Sequence, residues 1–344
     1  MADKKNITII DIAKLTGLSK ATVGRVIGNY GNVSPESKEK VEKAIKELNY
    51  IPNAVAQGLR SNGTKIIGVI VGSIKNNFCN RFLYAVEKAA IEKGYDVLFC
   101  NTGEQIEREF QCLKNLKARR VDGIILISSV LKAQDIPKEN MDLYKDIPIV
   151  LADRNIEDMD LDLITSSNCQ GAYNIIKSFI QNGHQHIGII SYGEVSTLKE
   201  RLRGYRQACD NYKIQTKDSY ILTGKTIDDI STERIKEFLK QNPQLTAIMV
   251  LNNSLLAKLL VALKDIGCID NDRYSIVSWD DDELNELYAI STVEQQVEEI
   301  GLLSTKRLIE IINRKSKESD ATVTLTLKTI YKERGSNHCI TAVK

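Results

Sequence analysis

The chain has 344 residues, of which 42% are hydrophobic, 27% charged and 6% aromatic. This length predicts two or three folded units rather than a single core, and 20 glycines and 5 prolines are too few to indicate low-complexity disorder. The formal net charge is only +2, so the overall charge gives no sign of a nucleic-acid partner.

The amino-terminal segment differs in charge from the rest. Residues 1–65 hold eleven Lys and Arg against six Asp and Glu, a net charge of +5, whereas the remaining residues hold 36 and 39, a net charge of −3. A basic arm on a slightly acidic body is expected of a nucleic-acid-binding protein. A solvated helical face would give the same charge, so both interpretations stay open at this point.

Two short helices joined by a glycine turn are predicted within this segment. A T-x-x-D capping box at Thr8 opens a helix that runs to about Thr16, and Gly17 breaks it. Ser19 caps a second helix that runs to about Ile27. Such a pair forms a helix-turn-helix unit. The apolar face predicted for the first helix consists of Ile9, Ile12, Ala13 and Leu15.

A third helix begins at Ser34-Pro35, with Ser as the N-cap and Pro at the first helical position. Its apolar side chains recur at helical spacing, so they can cover the first two helices. A small helical bundle without a DNA-binding role would show the same spacing. The residues of this apolar face are Val41, Ala44, Ile45 and Leu48.

The order of these motifs resembles the headpiece of the lactose-repressor/galactose-repressor family. The matching runs are TIIDIAK at 8–14, GLSKATV at 17–23 and LNYIPN at 48–53. The resemblance implies that the second helix enters the major groove of double-stranded DNA. Arg suits bidentate contact with guanine, and Ala suits a thymine methyl group. By this match the headpiece residues at the DNA are Thr8, Ser19, Lys20, Ala21, Thr22 and Arg25.

Two glycines depart from the family pattern. Gly24 stands where the family usually has Ser, and Gly28 stands where it usually has Asn. Both substitutions are expected to weaken the second helix or its phosphate contacts.

Residues 53–60, NAVAQGLR, resemble the family's hinge helix. The resemblance implies DNA contacts by Asn53, Ala56 and Leu59 in the minor groove, with Leu59 inserted between base pairs. A helix this short is marginal alone, and Gly58 costs about 1 kcal/mol relative to Ala, so it would fold only with DNA and a partner subunit. A plain linker would also suit this region. We therefore expect a headpiece at 1–52, a hinge at 53–64 and an effector-binding and dimerisation domain at 65–344.

The body alternates apolar runs of strand length with helical patterns. Near-continuous apolar strands between helices indicate parallel sheets covered on both faces, here an α/β fold with two lobes. A ligand is expected between the lobes, at the carboxyl ends of the strands. The predicted strand runs are 66–71, 95–99, 123–127, 147–151, 186–190, 247–250 and 274–278.

The resemblance continues through the body and implies a two-lobed, periplasmic-binding-protein-like effector domain. The matching runs include VDGII at 121–125, RLRGY at 201–205, WDD at 279–281 and TVEQ at 292–295. Asp and Arg side chains in a cleft can form charge-assisted hydrogen bonds to sugar hydroxyls, although such residues at a surface are more often only solvated. The effector residues implied by this match are Phe78, Asp153, Thr197, Arg201, Asn252, Asp280 and Gln295.

Several departures bear on the ligand and the assembly. Asn253 replaces the usual Asp, Asn77 replaces a frequent Pro, and 224–227 lacks an aromatic that could stack on a sugar. These departures favour a small polar effector over a glycoside-like one, while the resemblance implies a sugar or sugar derivative. A C-terminal strand is predicted at 327–336, and no leucine heptad follows it, which favours a homodimer over a tetramer.

Cysteine and histidine usage bears on metals and location. The seven cysteines form no C-x-x-C pair, and the three histidines do not lie at ligand spacing from them, so we expect no metal site and no cofactor. The sequence shows neither a signal-peptide core nor an apolar run of membrane-spanning length, which predicts a cytoplasmic protein with no membrane partner.

An enzyme and a secreted solute-binding protein are the competing functions. No G-x-G-x-x-G after a strand, no phosphate-binding loop and no G-x-S-x-G is found, so no catalytic residues are proposed. A secreted binding protein would need a signal peptide and would not need a headpiece. The sequence favours a transcription regulator, a repressor of a palindromic operator.

Overall fold

The computed structural model describes residues 7–28, 31–50, 63–269, 273–314 and 321–339. The chain divides into two compact units, Met1–Ile66 with Arg120–Asp122, and Ile67–Arg119 with Gly123–Lys344. The predicted hinge residues Asn53, Ala56 and Leu59 lie outside the described residues.

The helices and strands are numbered here in chain order. The helices are α1 (Ile9–Thr16), α2 (Lys20–Ile27), α3 (Pro35–Glu47), α4 (Asn77–Glu92), α5 (Ile106–Ala118), α6 (Asn168–Gln181), α7 (Ser196–Asn211), α8 (Thr232–Gln241), α9 (Leu256–Asp265), α10 (Glu283–Leu287) and α11 (Val297–Ile312). The strands are β1 (Ile66–Val71), β2 (Asp96–Asn101), β3 (Gly123–Leu126), β4 (Ile149–Ala152), β5 (Asp162–Ser166), β6 (Ile187–Tyr192), β7 (Ile221–Gly224), β8 (Ala247–Val250), β9 (Ser275–Trp279), β10 (Ser291–Glu294), β11 (Thr324–Leu327) and β12 (Ile330–Lys332).

The first unit contains the three predicted helices. The amide of Thr8 donates to Asp11 Oδ2 at 2.9 Å, and Ser19 Oγ accepts from the Thr22 amide at 3.1 Å, so both predicted caps form. The helices pack around a small core of Ile12, Val23, Val41 and Ala44, with Ile45 and Leu48 against it. Leu15 was wrongly predicted to join this face, and it is exposed.

The first lobe of the second unit contains a sheet in the order β11-β5-β4-β3-β1-β2. The pairs β1–β3, β3–β4, β4–β5 and β5–β11 are parallel. Side chains of α4 and α11 pack with the strands in one apolar core, which includes Phe82, Val150, Ile300 and Leu308. The parallel α/β arrangement of this lobe is therefore as predicted.

The second lobe has the same pattern, with its sheet in the order β12-β10-β9-β8-β6-β7. Of its pairs only β10–β12 is antiparallel. The chain passes between the lobes after β5, after β10 and after β11. The single strand predicted at 327–336 was wrong, because β11 and β12 belong to different sheets and the chain crosses between them.

Helices α6 and α7 of the second lobe pack unusually closely at Gly204. A Cβ atom there would lie 2.1 Å from the carbonyl oxygen of Cys169 and 2.9 Å from the amide nitrogen of Tyr173. Backbone atoms cannot move aside as a flexible side chain can. This contact therefore requires glycine, and it fixes the relative position of the two helices.

We predict that Gly204→Ala destabilises the protein by at least roughly 1–3 kcal/mol, the usual cost of overpacking. Denaturant-induced unfolding of the two proteins measures the difference. Arg206→Ala, at an exposed position of the same helix, is the control and should be nearly neutral. Equal stability of Gly204→Ala and the parent chain would contradict the close packing.

Candidate functional site

Helix α2 presents a cationic, polar surface to solvent. Lys20, Ala21 and Arg25 are exposed, and α2 carries no acidic residue. Thr22 lies half-buried, with its hydroxyl 2.9 Å from Ser19 Oγ. The helix continues through the buried Gly24 and ends at Ile27. An exposed helix with these side chains can donate hydrogen bonds to phosphate oxygens and base edges.

The second unit places one aspartate directly after a strand of each lobe. Asp153 follows β4 and Asp280 follows β9, with backbone φ angles of +62° and +64°. Asp280 Oδ1 accepts a hydrogen bond from Gln295 Nε2 at 2.9 Å. Asp153 Oδ1 is buried without a hydrogen-bond partner. Carboxyl ends of parallel strands are where ligands bind in α/β proteins, so both positions suit ligand contact.

Burial controls the ionisation of both aspartates. It raises the pKa of Asp153 to about 6, because Arg154 and Arg201 compensate for lost solvation only in part. Burial also raises the pKa of Asp280, against the opposing effect of Arg201. Both carboxylates are therefore poorly compensated, as expected of groups that await a hydrogen-bond donor from a ligand.

Arg201 is held by neutral groups. Its Nε donates to Asn168 Oδ1 at 2.8 Å, and its Nη1 donates to the carbonyl oxygen of Leu251 at 2.6 Å. The guanidinium carbon lies 4.1 Å from the ring centroid of Trp279, a cation–π contact. Burial lowers the pKa of Arg201 to about 10. The packing fixes the guanidinium without neutralising it.

Arg154 is neutralised instead by Glu104, which sequence analysis did not identify. The guanidinium binds both carboxylate oxygens, at 2.6 and 3.0 Å. Burial acts to raise the pKa of Glu104, but Arg154 outweighs it and holds this pKa below its ordinary value. A Cβ atom at Gly72 would lie 2.2 Å from Glu104 Oε1, so a larger residue there would displace the carboxylate from its present position. Nothing in the sequence around Glu104 signals this partner.

Two cavities divide the predicted effector residues. Phe78 and Asp280 line a cavity of about 360 Å³, together with Tyr192 and Asn253. Asp153 and Thr197 line a different cavity, of about 480 Å³. The remaining three residues line neither cavity: Arg201, Asn252 and Gln295.

Tyr192 is a further residue that sequence analysis missed. It is the last residue of β6 and faces the 360 Å³ cavity, where Phe78 lines the wall from the other lobe. The feature of the sequence that could have identified Tyr192 is its position at a strand end, next to the predicted cleft.

Within the described ranges, no helix is both long enough and apolar enough to span a bilayer. The same residues contain no cluster of three or more His, Cys, Asp or Glu suited to a metal ion.

Comparisons with known proteins bear on both units. Residues 64–333 match the periplasmic binding proteins and sugar binding domain of the LacI family, and residues 8–53 match the bacterial regulatory proteins of the lacI family. The HTH-type transcriptional repressor PurR of Vibrio campbellii is 32% identical over 314 residues, which are 90% of this chain and 93% of that one. The probable HTH-type transcriptional regulator EndR of Paenibacillus polymyxa is 30% identical over 325 residues, 91% of this chain and 93% of that one.

A solved structure supports the fold. The lac repressor dimer bound to operator and the anti-inducer ONPF superposes with a TM-score of 0.82 at 24% identity, covering 97% of this chain and 100% of that one. The curated relatives named above are a repressor and a regulator. The chain therefore belongs to the LacI family of bacterial regulatory proteins, as a DNA-binding transcriptional repressor with a periplasmic-binding-protein-like ligand-binding domain.

Proposed function

We propose that this chain is a homodimeric, non-enzymatic repressor of a palindromic operator, and that a small polar effector bound between its lobes controls its DNA affinity. The observation that carries this proposal is the pair of poorly compensated aspartates at strand ends of the two lobes, the buried Asp153 and the half-buried Asp280. A cytoplasmic location follows from this role.

The DNA contacts are proposed for the exposed part of the headpiece. Arg25 is the residue of α2 best built to bind one guanine through two hydrogen bonds, and its side chain is exposed. The hinge contacts remain predictions from the resemblance. The full proposed set is Thr8, Ser19, Lys20, Ala21, Thr22, Arg25, Asn53, Ala56 and Leu59.

The effector is proposed to be rich in hydrogen-bond donors, as a sugar or sugar derivative is. Besides Asp153 Oδ1, two amide oxygens are buried without a partner: that of Asn253, which lines the 360 Å³ cavity, and that of Gln295, whose Nε2 donates to Asp280. Leaving such acceptors unsatisfied is costly, so a ligand that donates to them is favoured. The proposed effector residues are Phe78, Asp153, Thr197, Arg201, Asn252, Asp280 and Gln295.

Exposed apolar side chains support the proposed homodimer. In the first lobe Tyr84 and Ile91 of α4 are largely exposed, as is Phe99 of the edge strand β2. In the second lobe Leu287 and Tyr288 lie exposed at the end of α10. Contiguous exposed apolar surface marks interaction sites, and Tyr84 and Ile91, seven residues apart, lie on one face of α4.

We predict that Arg25→Ala weakens binding to the operator by roughly 1–3 kcal/mol per half-site and weakens binding to random duplexes much less. The operator would first be selected from a random duplex pool, and fluorescence anisotropy at several salt concentrations would measure both affinities. Lys43→Ala, at an exposed position of α3, is the charge-matched control. Equal losses on operator and random DNA would show that Arg25 contacts only phosphate.

We predict that Asp280→Asn weakens effector binding by at least ~1.5 kcal/mol, because it removes the charge of one acceptor at nearly constant size. The effector would be identified by thermal shift with sugars, phosphosugars and nucleosides, and calorimetry would then measure its affinity. Operator binding without effector should be unchanged. Asp135→Asn, at an exposed position, is the control. Normal effector affinity in Asp280→Asn would mean that the effector binds elsewhere.

A further inference from the structure

The chain that leaves the predicted hinge is fastened to the turn that follows α5. The Asp122 carboxylate accepts hydrogen bonds from the amides of Thr64 and Lys65, at 2.7 and 2.9 Å. The Thr64 hydroxyl donates to the carbonyl oxygen of Arg120 at 2.9 Å. Residues 63–66 and 120–122 belong to the same compact unit. Arg120 is therefore held beside the residues that directly follow the predicted hinge.

This turn is cationic. The run KARR at 117–120 contains three basic residues and no acidic one. Lys117 is paired with Asp146. Arg119 and Arg120 are exposed, and no ion pair among the described residues includes either of them. The next acidic residue along the chain is Asp122, whose carboxylate already accepts from two amides. Two guanidinium groups therefore lie at the surface without a compensating carboxylate.

Arg120 occupies a backbone position that is usually glycine. It is the second residue after α5, which ends at Ala118, and its φ is +57°, in the left-handed region. Glycine is common at this position because a Cβ atom there strains the backbone. The fold alone gives no reason for an arginine here, which points to a function of its side chain.

The predicted hinge helix would bring DNA close to this turn, a step that rests on the proposed minor-groove contact of Leu59. Leu59 precedes Gly63 by four residues, and four residues span at most about 14 Å. Phosphates of both strands border the minor groove, and Arg binds phosphate through charge-assisted hydrogen bonds. A phosphate beside the groove is therefore the group of the DNA that an exposed guanidinium next to Thr64 would meet.

We propose that this turn is a second DNA-contacting surface, in which the Arg120 guanidinium binds a backbone phosphate beside the hinge and Arg119 adds to the positive potential. Such a contact adds affinity without reading sequence. Each subunit of the proposed homodimer supplies one of them. A cation after the end of a helix also stabilises the helix dipole, but that role alone would leave DNA binding unchanged.

The first test measures the salt dependence of DNA binding by the full-length Arg120→Gln protein. Fluorescence anisotropy gives its affinity for the operator, and for an operator with one base pair changed, between about 50 and 200 mM salt. Each lost phosphate contact makes the slope of log affinity against log salt shallower by about 0.9, so a dimer should lose about 1.8. The fold-loss in affinity should be the same on both duplexes, because the contact does not read sequence.

Two matched variants accompany this test. Arg120→Lys keeps the charge and should restore the slope. Arg108→Gln, at an exposed position in the first turn of the same helix, is the control and should leave the slope unchanged. The unfolding midpoint of Arg120→Gln should not change, because Thr64 bonds to the backbone carbonyl of residue 120.

An unchanged slope in Arg120→Gln overturns the proposal, and so does an equal change in Arg108→Gln. Leu59→Ala tests the proposed hinge separately. If that variant binds and bends the operator as the parent protein does, the minor-groove contact is wrong, while the slope of Arg120→Gln still decides whether Arg120 binds phosphate.

The second test locates the contact on the operator. A methylphosphonate group removes the charge of one phosphate, and it is placed in turn at each phosphate near the operator centre. At one phosphate of each half-site the parent protein should lose affinity roughly tenfold, the effect of one charged hydrogen bond, whereas Arg120→Gln should lose none. Equal losses in both proteins at every position would overturn the proposal.

Discussion

The feature on which the second unit depends is the burial of acidic side chains where parallel strands end. A parallel sheet brings the carboxyl ends of its strands to one edge, and each chain must turn sharply there. Asp153 and Asp280 make these turns with positive φ, a conformation that Asp tolerates better than most residues. The side chain of Asp153 is buried there, and that of Asp280 is half-buried at the wall of the 360 Å³ cavity. The charged residues nearby offset only part of the free-energy cost of removing these carboxylates from water.

The charges of Asp153 and Arg201 are only partly compensated by neighbouring groups. Glu104 occupies Arg154, which leaves Asp153 with a distant ion contact. Arg201 hydrogen-bonds to an amide and a carbonyl group rather than to a carboxylate.

Because the pKa of Asp153 is raised to about 6 from 3.8, the folded chain binds a proton that the unfolded chain releases between these values. The contribution of Asp153 to the free energy of unfolding is therefore fully present below pH 3.8 and is lost as the pH rises through 6.

An effector changes the DNA affinity only if it binds two conformations of the protein with different affinities. Ligand-binding groups on two lobes suit that requirement.

The parts predictable from sequence were those that local chemistry determines. The caps at Thr8 and Ser19 and the apolar strand runs follow from backbone hydrogen bonding and burial, and the structure contains them. The prediction that Leu15 belongs to the apolar face of α1 was wrong, because Leu15 lies off the face defined by Ile9, Ile12 and Ala13.

Features that depend on tertiary packing were harder to predict from the sequence. The segment 327–336 reads as one strand because its alternation does not reveal that it crosses between sheets. Glu104 could not be foreseen, since its pairing with Arg154 depends on a close approach to Gly72 across two loops. The division of Asp153 and Asp280 between two cavities likewise depends on how the lobes pack, which no local pattern encodes.

The most direct test of this electrostatic arrangement is the ionisation of Asp153 itself. The full-length protein, without ligand, would be labelled with 13C at the aspartate carboxyl carbons and titrated by NMR. The spectrum of Asp153→Asn would assign the resonance. We expect Asp153 to titrate with a midpoint of about 6, because burial outweighs Arg154 and Arg201. A midpoint near the ordinary aspartate value of about 3.9 would contradict the uncompensated burial of Asp153 on which the proposed effector site depends.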